Sequence, residues 1–299
     1  MTYPSGKLAY NPSIQGLRAI AILLVLAAHA NLPFLHGGFI GVDVFFVISG
    51  YLITGLLVTE INNTGKLNFS RFYARRLKRL LPALLVMLGA TAAAIYIFAP
   101  TTEHPAQASA AASAAAWVSN FYFIFAEQNY FESTSLVNAF LHTWSLGVEE
   151  QFYLIWPLLI VFACSLASKH RIVFLSAITL FSFALCMWLA SRHPTQAFYL
   201  MPSRIWQFGA GALVWHLAGQ LSEISARAKA IQLLTGTTLI VASALWIEEG
   251  TRYPDWVSLL PTLGAAACLF GISTTSDSVS SGPLARGPLR KRCTNQPSA

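Results

Sequence analysis

The stretch LHTWSLGVEEQFYLIWP, from Leu141 to Pro157, is the part of the sequence that says most about the fold. An apolar run long enough to cross a membrane begins inside it and continues to Ala167. Its opening nevertheless carries a histidine, a serine, two glutamates and a glutamine. An ionisable group in a bilayer core costs about 2.5–3.5 kcal/mol on insertion scales, so such groups persist where they line a cavity or take part in chemistry. The stretch therefore predicts a membrane helix that contributes to a polar site.

The composition of the whole chain points to the same class of protein. Of the 299 residues, 55% are hydrophobic and only 10% are charged, and the mean hydropathy is +0.56. Soluble domains carry about 25% charged residues, which they need to cover a core of this size. Apolar runs of about 17–25 residues also recur along the sequence. We therefore predict an all-α, polytopic transmembrane helix bundle embedded in a lipid bilayer.

The positive charge is concentrated in a few short segments, although the formal net charge is +7. This pattern is typical of the cytoplasmic flanks of membrane helices and argues against a nucleic-acid partner. The four cysteines form no close pair that would hold a metal or a redox disulfide, so we predict neither. These cysteines are Cys164, Cys186 and Cys268 in apolar runs and Cys293 near the end.

Eight apolar segments are predicted to span the membrane. The basic loop from Glu60 to Arg79 is assigned to the cytoplasm by the positive-inside rule, which also places the amino terminus there. Residues 106–126 are a ninth, weakly apolar segment, and a re-entrant or outer-face helix there keeps the later basic clusters inside. We therefore expect eight or nine membrane segments. The eight spans are Leu17–Leu32, Phe39–Val58, Leu80–Ala99, Ser145–Ala167, Ile172–Ala190, Tyr199–Gly219, Ile231–Trp246 and Trp256–Ile272.

Arg18 and His29 lie on one face of the first predicted span. Eleven positions separate them, which at 100° per residue returns to the same face roughly 16 Å along the axis. Two simpler readings stay open: a snorkelling flank arginine and a core histidine bonded to a backbone carbonyl. The run also fits a cleaved signal peptide, but Arg18 adjoins its apolar core and another span follows at once.

Two carboxylates are expected at the depth of His29. Asp43 lies at the outer end of the second span, and Glu149 lies at the outer end of the span that begins at Ser145. An imidazole paired with a carboxylate can deprotonate an alcohol for attack on an acyl carbon. We therefore predict that His29, Glu149 and Asp43 form a catalytic group.

Helical spacing favours Glu149 over its neighbour Glu150. Glu149, Phe152, Tyr153 and Trp156 are separated by three or four positions and therefore share one helix face, whereas Glu150 points elsewhere. We accordingly predict that Glu149 faces the site and that Tyr153 contributes to substrate binding.

A basic segment, RRLKR, precedes Pro82, a proline compatible with a helix start. Arg75 and Arg79 are one turn apart and Arg76 flanks them, a density suited to bidentate binding of a multiply phosphorylated ligand such as coenzyme A. The alternative is that the segment only determines topology.

A second intramembrane cation, Arg204, is predicted near the outer end of its span. It could polarise an acyl carbonyl or bind an anionic sugar, and the alternative is an interfacial anchor. With Arg18 of the first span and the nearby Trp206, it completes the predicted substrate-binding residues.

Several segments together resemble acyltransferase family 3, the integral membrane O-acyltransferases that modify cell-surface polysaccharides and related glycans. They run in order through most of the chain, to about Ile272. They are the Arg18–His29 pair, GGFIGVDVFFVISGYLIT (Gly37–Thr54), FYARRLKRLLPALL (Phe72–Leu85), LHTWSLGVEEQFYLIWP (Leu141–Pro157) and RIWQFGAGAL (Arg204–Leu213).

The resemblance implies residue roles and an activity. It makes His29 the family's essential histidine, Arg18 its paired arginine and Glu149 the glutamate of its VExQFY segment. It also makes Arg75, Arg76 and Arg79 its cytoplasmic basic motif. The implied protein has no bound cofactor, lies in the bacterial inner membrane, and moves an acyl group, expected to be acetyl, from cytoplasmic acyl-CoA to a glycan hydroxyl.

The end of the sequence departs from the family pattern. Family members continue into further spans, and many carry an outer SGNH-type esterase domain, whereas here residues 273–299 are polar and basic. We therefore expect an incomplete transmembrane domain at residues 1–272, an unstructured tail at 273–299, and a separate SGNH-type esterase as a partner. Two alternatives stay open: an inactive remnant, and a proton-coupled transporter in which the intramembrane histidine, arginine and glutamate form a relay.

Overall fold

The computed structural model describes residues 11–30, 32–127, 130–131, 138–220, 224–248 and 253–273. All regular secondary structure in these ranges is helical. Short 3-10 helices occupy His36–Ile40, Leu141–Thr143, Met201–Ser203 and Trp256–Ser258. The α-helices are α1 (Pro12–His29), α2 (Gly41–Thr64), α3 (Phe69–Phe98), α4 (His104–Ala115), α5 (Ser119–Phe125), α6 (Trp144–Ser165), α7 (Ser168–Arg192), α8 (Pro194–Tyr199), α9 (Ile205–Ala218), α10 (Ala226–Trp246) and α11 (Leu259–Ser273).

Seven helical segments of the described chain are long and apolar enough to cross a membrane. They confirm the predicted all-α polytopic bundle. They are Pro12–His29, His36–Thr64, Phe69–Phe98, Leu141–Ser165, Ser168–Arg192, Ala226–Trp246 and Trp256–Ser273.

The eighth predicted span, Tyr199–Gly219, is not one continuous helix. Its main part, α9, has 14 residues, which is about 21 Å of helix and short of a bilayer core of about 30 Å. The preceding residues form α8 and a 3-10 turn, with Leu200 extended between them. The prediction was wrong because hydropathy averages over the whole run and does not detect an interruption of the helix within it.

Side chains satisfy the backbone groups that this interruption exposes. Pro202 cannot continue a helix from α8, because its ring would clash with the carbonyl four residues earlier. That carbonyl, of Phe198, accepts a hydrogen bond from Arg204 Nε at 3.0 Å. Ser203 Oγ donates to the carbonyl of Ala197 at 2.8 Å. A break at membrane depth is tolerated where its polar groups are paired in this way.

Residues 106–126 fall mainly in two short helices, α4 and α5, of 12 and 7 residues. Neither is long enough to span a bilayer, as the non-spanning interpretation requires. α4 packs on α3 and α5 packs on α6.

α3 begins earlier than the predicted span at Leu80. Asn68 caps it by accepting a hydrogen bond from the Arg71 backbone N–H at 2.9 Å. The basic segment is therefore helical, and Pro82 lies inside the helix rather than in its first turns. Hydropathy marks where a chain enters the membrane, whereas the helix begins at its cap.

α2 is the central helix of the bundle. In the apolar 18-residue stretch of the His36–Thr64 segment, 67% of residues are buried, whereas 11% are buried in the corresponding stretch of α3. α6 contacts α2 first through Trp144 on Phe46 and later through Trp156 on Thr54, so the two helices run parallel. α9 runs parallel to α2 as well, because Phe208 meets Gly50 and Trp215 meets Gly55. We call the end of the bundle where α2 begins the Asp43 end, and the opposite end, where α3 begins, the Arg75 end.

Glycines allow α2 and α9 to touch along their backbones. A Cβ on Gly50 would lie 1.9 Å from the Phe208 carbonyl oxygen, and a Cβ on Gly211 would lie 2.0 Å from the Val47 carbonyl oxygen. Such close approach stabilises helix pairs in membranes through van der Waals contact. The contact also fixes where α9 places Arg204 and Gln207 against α2.

Candidate functional site

Asp43 and Arg204 form a buried ion pair at the Asp43 end. Arg204 Nη1 lies 3.2 Å from Asp43 Oδ1, and the two side chains are 1% and 3% exposed. Gln207 Nε2 donates to the same oxygen at 2.5 Å, and the Tyr253 hydroxyl donates to Oδ2. Burial, and then the charge of Asp43, raise the pKa of Tyr253 well above its usual value, so its phenol stays protonated and donates. The network joins α2, α9 and the segment before α11.

Arg204 lies among aromatic rings as well as beside a carboxylate. Its guanidinium carbon is 5.0 Å from the ring centroid of Phe198, 5.6 Å from that of Trp144 and 5.7 Å from that of Tyr253. An interfacial anchor would reach the membrane surface, but Arg204 is buried, which removes that alternative. Trp206 lies on the other side of α9, where its ring packs edge-on against Phe183 of α7 at 5.0 Å.

Glu149 lies in a second cluster, between α6 and α2. Ser49 Oγ donates to Glu149 Oε1 at 2.5 Å, and the Tyr153 hydroxyl donates to the same oxygen. Phe152 and Trp156 of the same face are buried. The face of α6 predicted to point inward, which carries Glu149, is therefore the face that packs on α2. It does so because its large side chains are apolar or aromatic.

Arg76 connects the basic segment with this cluster. Its guanidinium carbon lies 4.4 Å from the ring centroid of Tyr153. Arg75 and Arg79 are exposed, and Arg75 Nη2 makes an ion pair with Glu60 Oε2 at 3.2 Å. One arginine of the predicted phosphate-binding set thus turns into the bundle while two remain at its surface.

His29 is the last residue of α1 and is exposed. Its Nδ1 lies 2.8 Å from the Val25 carbonyl oxygen, so in the neutral ring Nδ1 carries the proton and Nε2 can accept one. His142, in the 3-10 turn before α6, is close enough to interact electrostatically with His29. Arg18 is half-buried earlier on α1.

Comparison with known sequences determines the family. The profile of the acyltransferase domain family matches residues 11–286. The chain belongs to this acyltransferase family. It is 34% identical over 256 residues to peptidoglycan O-acetyltransferase OatA of Listeria monocytogenes, a match that covers 83% of this chain and 41% of that protein. It is 37% identical over 213 residues to the Bacillus subtilis protein named "Putative peptidoglycan O-acetyltransferase YrhL", covering 69% of this chain and 33% of that one. The chain thus spans less than half the length of these relatives, and no solved structure matches it.

The acyltransferase domain does not bring the predicted catalytic group into contact. Among the described residues, no hydrogen bond or ion pair joins His29 to Asp43 or Glu149, which each have other partners. His142, the residue near His29, is seven residues before Glu149. Seven residues correspond to about 10 Å along a helix axis. The structure therefore separates the predicted residues into an Asp43–Arg204 network, a Ser49–Glu149 cluster and a terminal histidine.

Sequence reasoning missed four residues of these clusters: Ser49, His142, Gln207 and Tyr253. His142 stood in the most informative stretch, but arguments from helix faces passed over it because it precedes the helix. Gln207 could have been found, since it lies three positions after Arg204 and shares its face. Nothing local marks Tyr253, which lies 210 positions from Asp43.

Proposed function

We propose that this chain is the membrane part of an O-acetyltransferase that acts on a cell-surface glycan. The observation that carries the proposal is membership of the acyltransferase family, together with relatives named as peptidoglycan O-acetyltransferases. The donor is acyl-CoA, with acetyl as the acyl group. The enzyme lies in the bacterial inner membrane with its amino terminus and its Arg75 end in the cytoplasm.

The donor binds at the Arg75 end in this proposal. Arg75 and Arg79 present guanidinium groups at the surface one helical turn apart, which suits bidentate contact with phosphates. The ion pair between Arg75 and Glu60 is exposed, so it costs little to replace with a phosphate contact. Arg76, from the same turn, lies over the ring of Tyr153, whose hydroxyl donates to Glu149, and this is the direction in which the acyl group travels in the proposal.

The acceptor binds at the Asp43 end. His29 offers Nε2 as a general base for the glycan hydroxyl, and its bond to the Val25 carbonyl sets the ring orientation. Glu149 lies between the two ends, where the acyl group passes in this proposal. Asp43 acts by holding Arg204, whose neighbours Trp144 and Phe198 offer aromatic surface for a sugar. A separate SGNH-type esterase would work on this side.

Replacement of His29 tests the proposal. His29→Ala is expected to lower acetylation of the cell-wall glycan at least about 100-fold, the smaller end of what a general base contributes. His170→Ala is the control, because His170 is exposed near the start of α7 and lies outside the proposed site. The measurement is ester-linked acetate on glycan from cells that express this chain. Wild-type acetylation by His29→Ala would remove the assigned role.

A transporter is the competing function, and the interruption before α9 beside a buried Arg204 is a feature that transporters share. Thiol release from acetyl-CoA separates the two, because a transporter releases no CoA with any acceptor. An inactive remnant would release none either, but it would also transport nothing.

A further inference from the structure

Ser49 bonds differently from three other hydroxyl residues within the helices. Thr179, Ser243 and Thr262 each donate to the backbone carbonyl four residues earlier, at 2.8, 2.6 and 2.8 Å. This local bond is the usual solution for a hydroxyl inside a helix. Ser49 instead donates across the interface to the carboxylate of Glu149 at 2.5 Å.

The Ser49–Glu149 pair has the composition of an activated nucleophile. A serine hydroxyl is a weak nucleophile unless an adjacent base accepts its proton, and Glu149 Oε1 is within hydrogen-bond distance. Tyr153 donates to the same oxygen and so orients the base. Ser49 and Glu149 are both half-buried, which leaves part of each side chain accessible.

The pair also lies between the two ends of the proposed reaction. Ser49 is the ninth residue of α2, which places it about 12 Å from the Asp43 end along the helix axis. On the other side, Arg76 reaches the cluster from the basic segment of α3. His29 lies at the Asp43 end, and in the described part of the chain no hydrogen bond joins it to Glu149. An acyl group that arrives from the Arg75 end therefore meets Ser49 before His29.

We propose that Ser49 is acylated during the reaction and holds the acyl group as an ester between the two ends of the bundle. This inference rests on the proposed acyltransferase function. Ser49 Oγ attacks the thioester carbonyl of acyl-CoA while Glu149 accepts the hydroxyl proton. The carbon–sulfur bond breaks, and the CoA thiolate leaves and takes up that proton, which forms an acyl ester on Ser49. The acceptor hydroxyl then attacks the ester carbonyl, and Ser49 regains a proton as its ester bond breaks. Glu149 is the base of the first step, His29 is the base for the acceptor hydroxyl in the second, and Tyr153 is a positioning residue.

The intermediate can be trapped when the acceptor is left out. Purified protein in lipid nanodiscs is incubated with acetyl-labelled acetyl-CoA and digested, and the peptide with Ser49 is examined by mass spectrometry for one added acetyl group. Wild type and Ser243→Ala, a matched serine of α10 that makes the local bond, are expected to carry it. Ser49→Ala is expected to lose the label and to slow glycan acetylation at least about 100-fold.

A second variant separates a chemical role from a structural one. Ser49→Cys keeps a nucleophile at the same place, and its acyl group is expected to become a thioester that neutral hydroxylamine removes. Labelled wild-type protein is also expected to pass its acetyl group to added glycan. A merely structural serine would give neither result, even where Ser49→Ala folds poorly.

The outcomes distinguish this inference from the function beneath it. Glycan acetylation by wild type with no acetyl group on Ser49, or by Ser49→Ala at the wild-type rate, overturns the relay and leaves the acyltransferase intact. If wild type releases no CoA thiol, labels no serine and acetylates no glycan, the proposed function fails and the relay fails with it.

Discussion

At the scale of single residues, the Asp43–Arg204 pair is costly to bury. Two opposite charges are almost completely buried 3.2 Å apart, and each depends on the other to offset the loss of water. Three donors satisfy the carboxylate, and a backbone carbonyl and three aromatic rings surround the guanidinium. The pair therefore holds α9 in register with α2 at the end where the acceptor is proposed to bind.

Removal of Arg204 alone is expected to be strongly destabilising. Arg204→Ala leaves Asp43 charged and buried without its cation, a loss of about 3–5 kcal/mol. Arg192→Ala is the control, because Arg192 is exposed and covers only the exposed Trp188, so its cost is expected to stay within about 0.5 kcal/mol. The measurement is thermal unfolding of both variants in the same detergent.

The double variant Asp43→Leu with Arg204→Met sharpens that prediction. It removes both charges and keeps apolar volume, so it is expected to recover part of the stability that Arg204→Ala loses. Equal unfolding temperatures for Arg204→Ala and Arg192→Ala would contradict the role of the ion pair.

At the scale of helices, the sequence located most elements and missed one interruption. Hydropathy and the 3.6-residue period are local properties, so they identified seven spans and the inward face of α6. The break before α9 was not visible in the sequence, because Pro202, Ser203 and Arg204 can each occur within a continuous membrane helix. Only the bonds of Ser203 and Arg204 to the carbonyls of Ala197 and Phe198 show how the helix is interrupted there.

The α2–α9 contact provides the test at this scale. Gly211→Ala places a methyl group 2.0 Å from the Val47 carbonyl oxygen, so the helices must separate, and we expect a loss of stability and of glycan acetylation. Gly89→Ala is the matched control, because no atom outside its own helical turns lies within 4 Å of the added Cβ. Alanine there is expected to be neutral or to stabilise α3 by up to about 1 kcal/mol. Thermal unfolding and acetylation are measured for both variants, and equal losses in the two would show that backbone contact is not what Gly211 provides.

At the scale of the whole molecule, the ends of the bundle differ in charge. Six basic residues lie between Glu60 and Leu80 at the Arg75 end, which the positive-inside rule predicts to face the cytoplasm. The amino-terminal end of α1 lies on the same side, because α1 runs antiparallel to α2 with Gly38 against Leu24 and Gly41 against Ala21.

Thiol labelling of intact cells tests this orientation. In a variant without the four native cysteines, His36→Cys at the Asp43 end is expected to react with a membrane-impermeant maleimide, whereas Asn63→Cys at the Arg75 end is expected to react only after lysis. Both positions are exposed, so burial does not explain a difference. The reverse pattern would place the basic segment outside and would contradict donor binding from the cytoplasm.

The sequence by itself determined that the chain is a helical membrane bundle, where seven of its apolar spans lie, and which face of α6 carries Glu149. These properties depend on composition and on spacings of a few residues. Only the tertiary structure decided which polar groups meet: Ser49 with Glu149 across 100 positions, Asp43 with Arg204 across 161, and Asp43 with Tyr253 across 210. The first pairing depends on how α6 packs on α2, and the Asp43–Arg204 pairing depends on how close glycines let α2 approach α9 and on where the chain breaks before α9. None of these is a local property. For that reason one predicted catalytic group became three separate clusters.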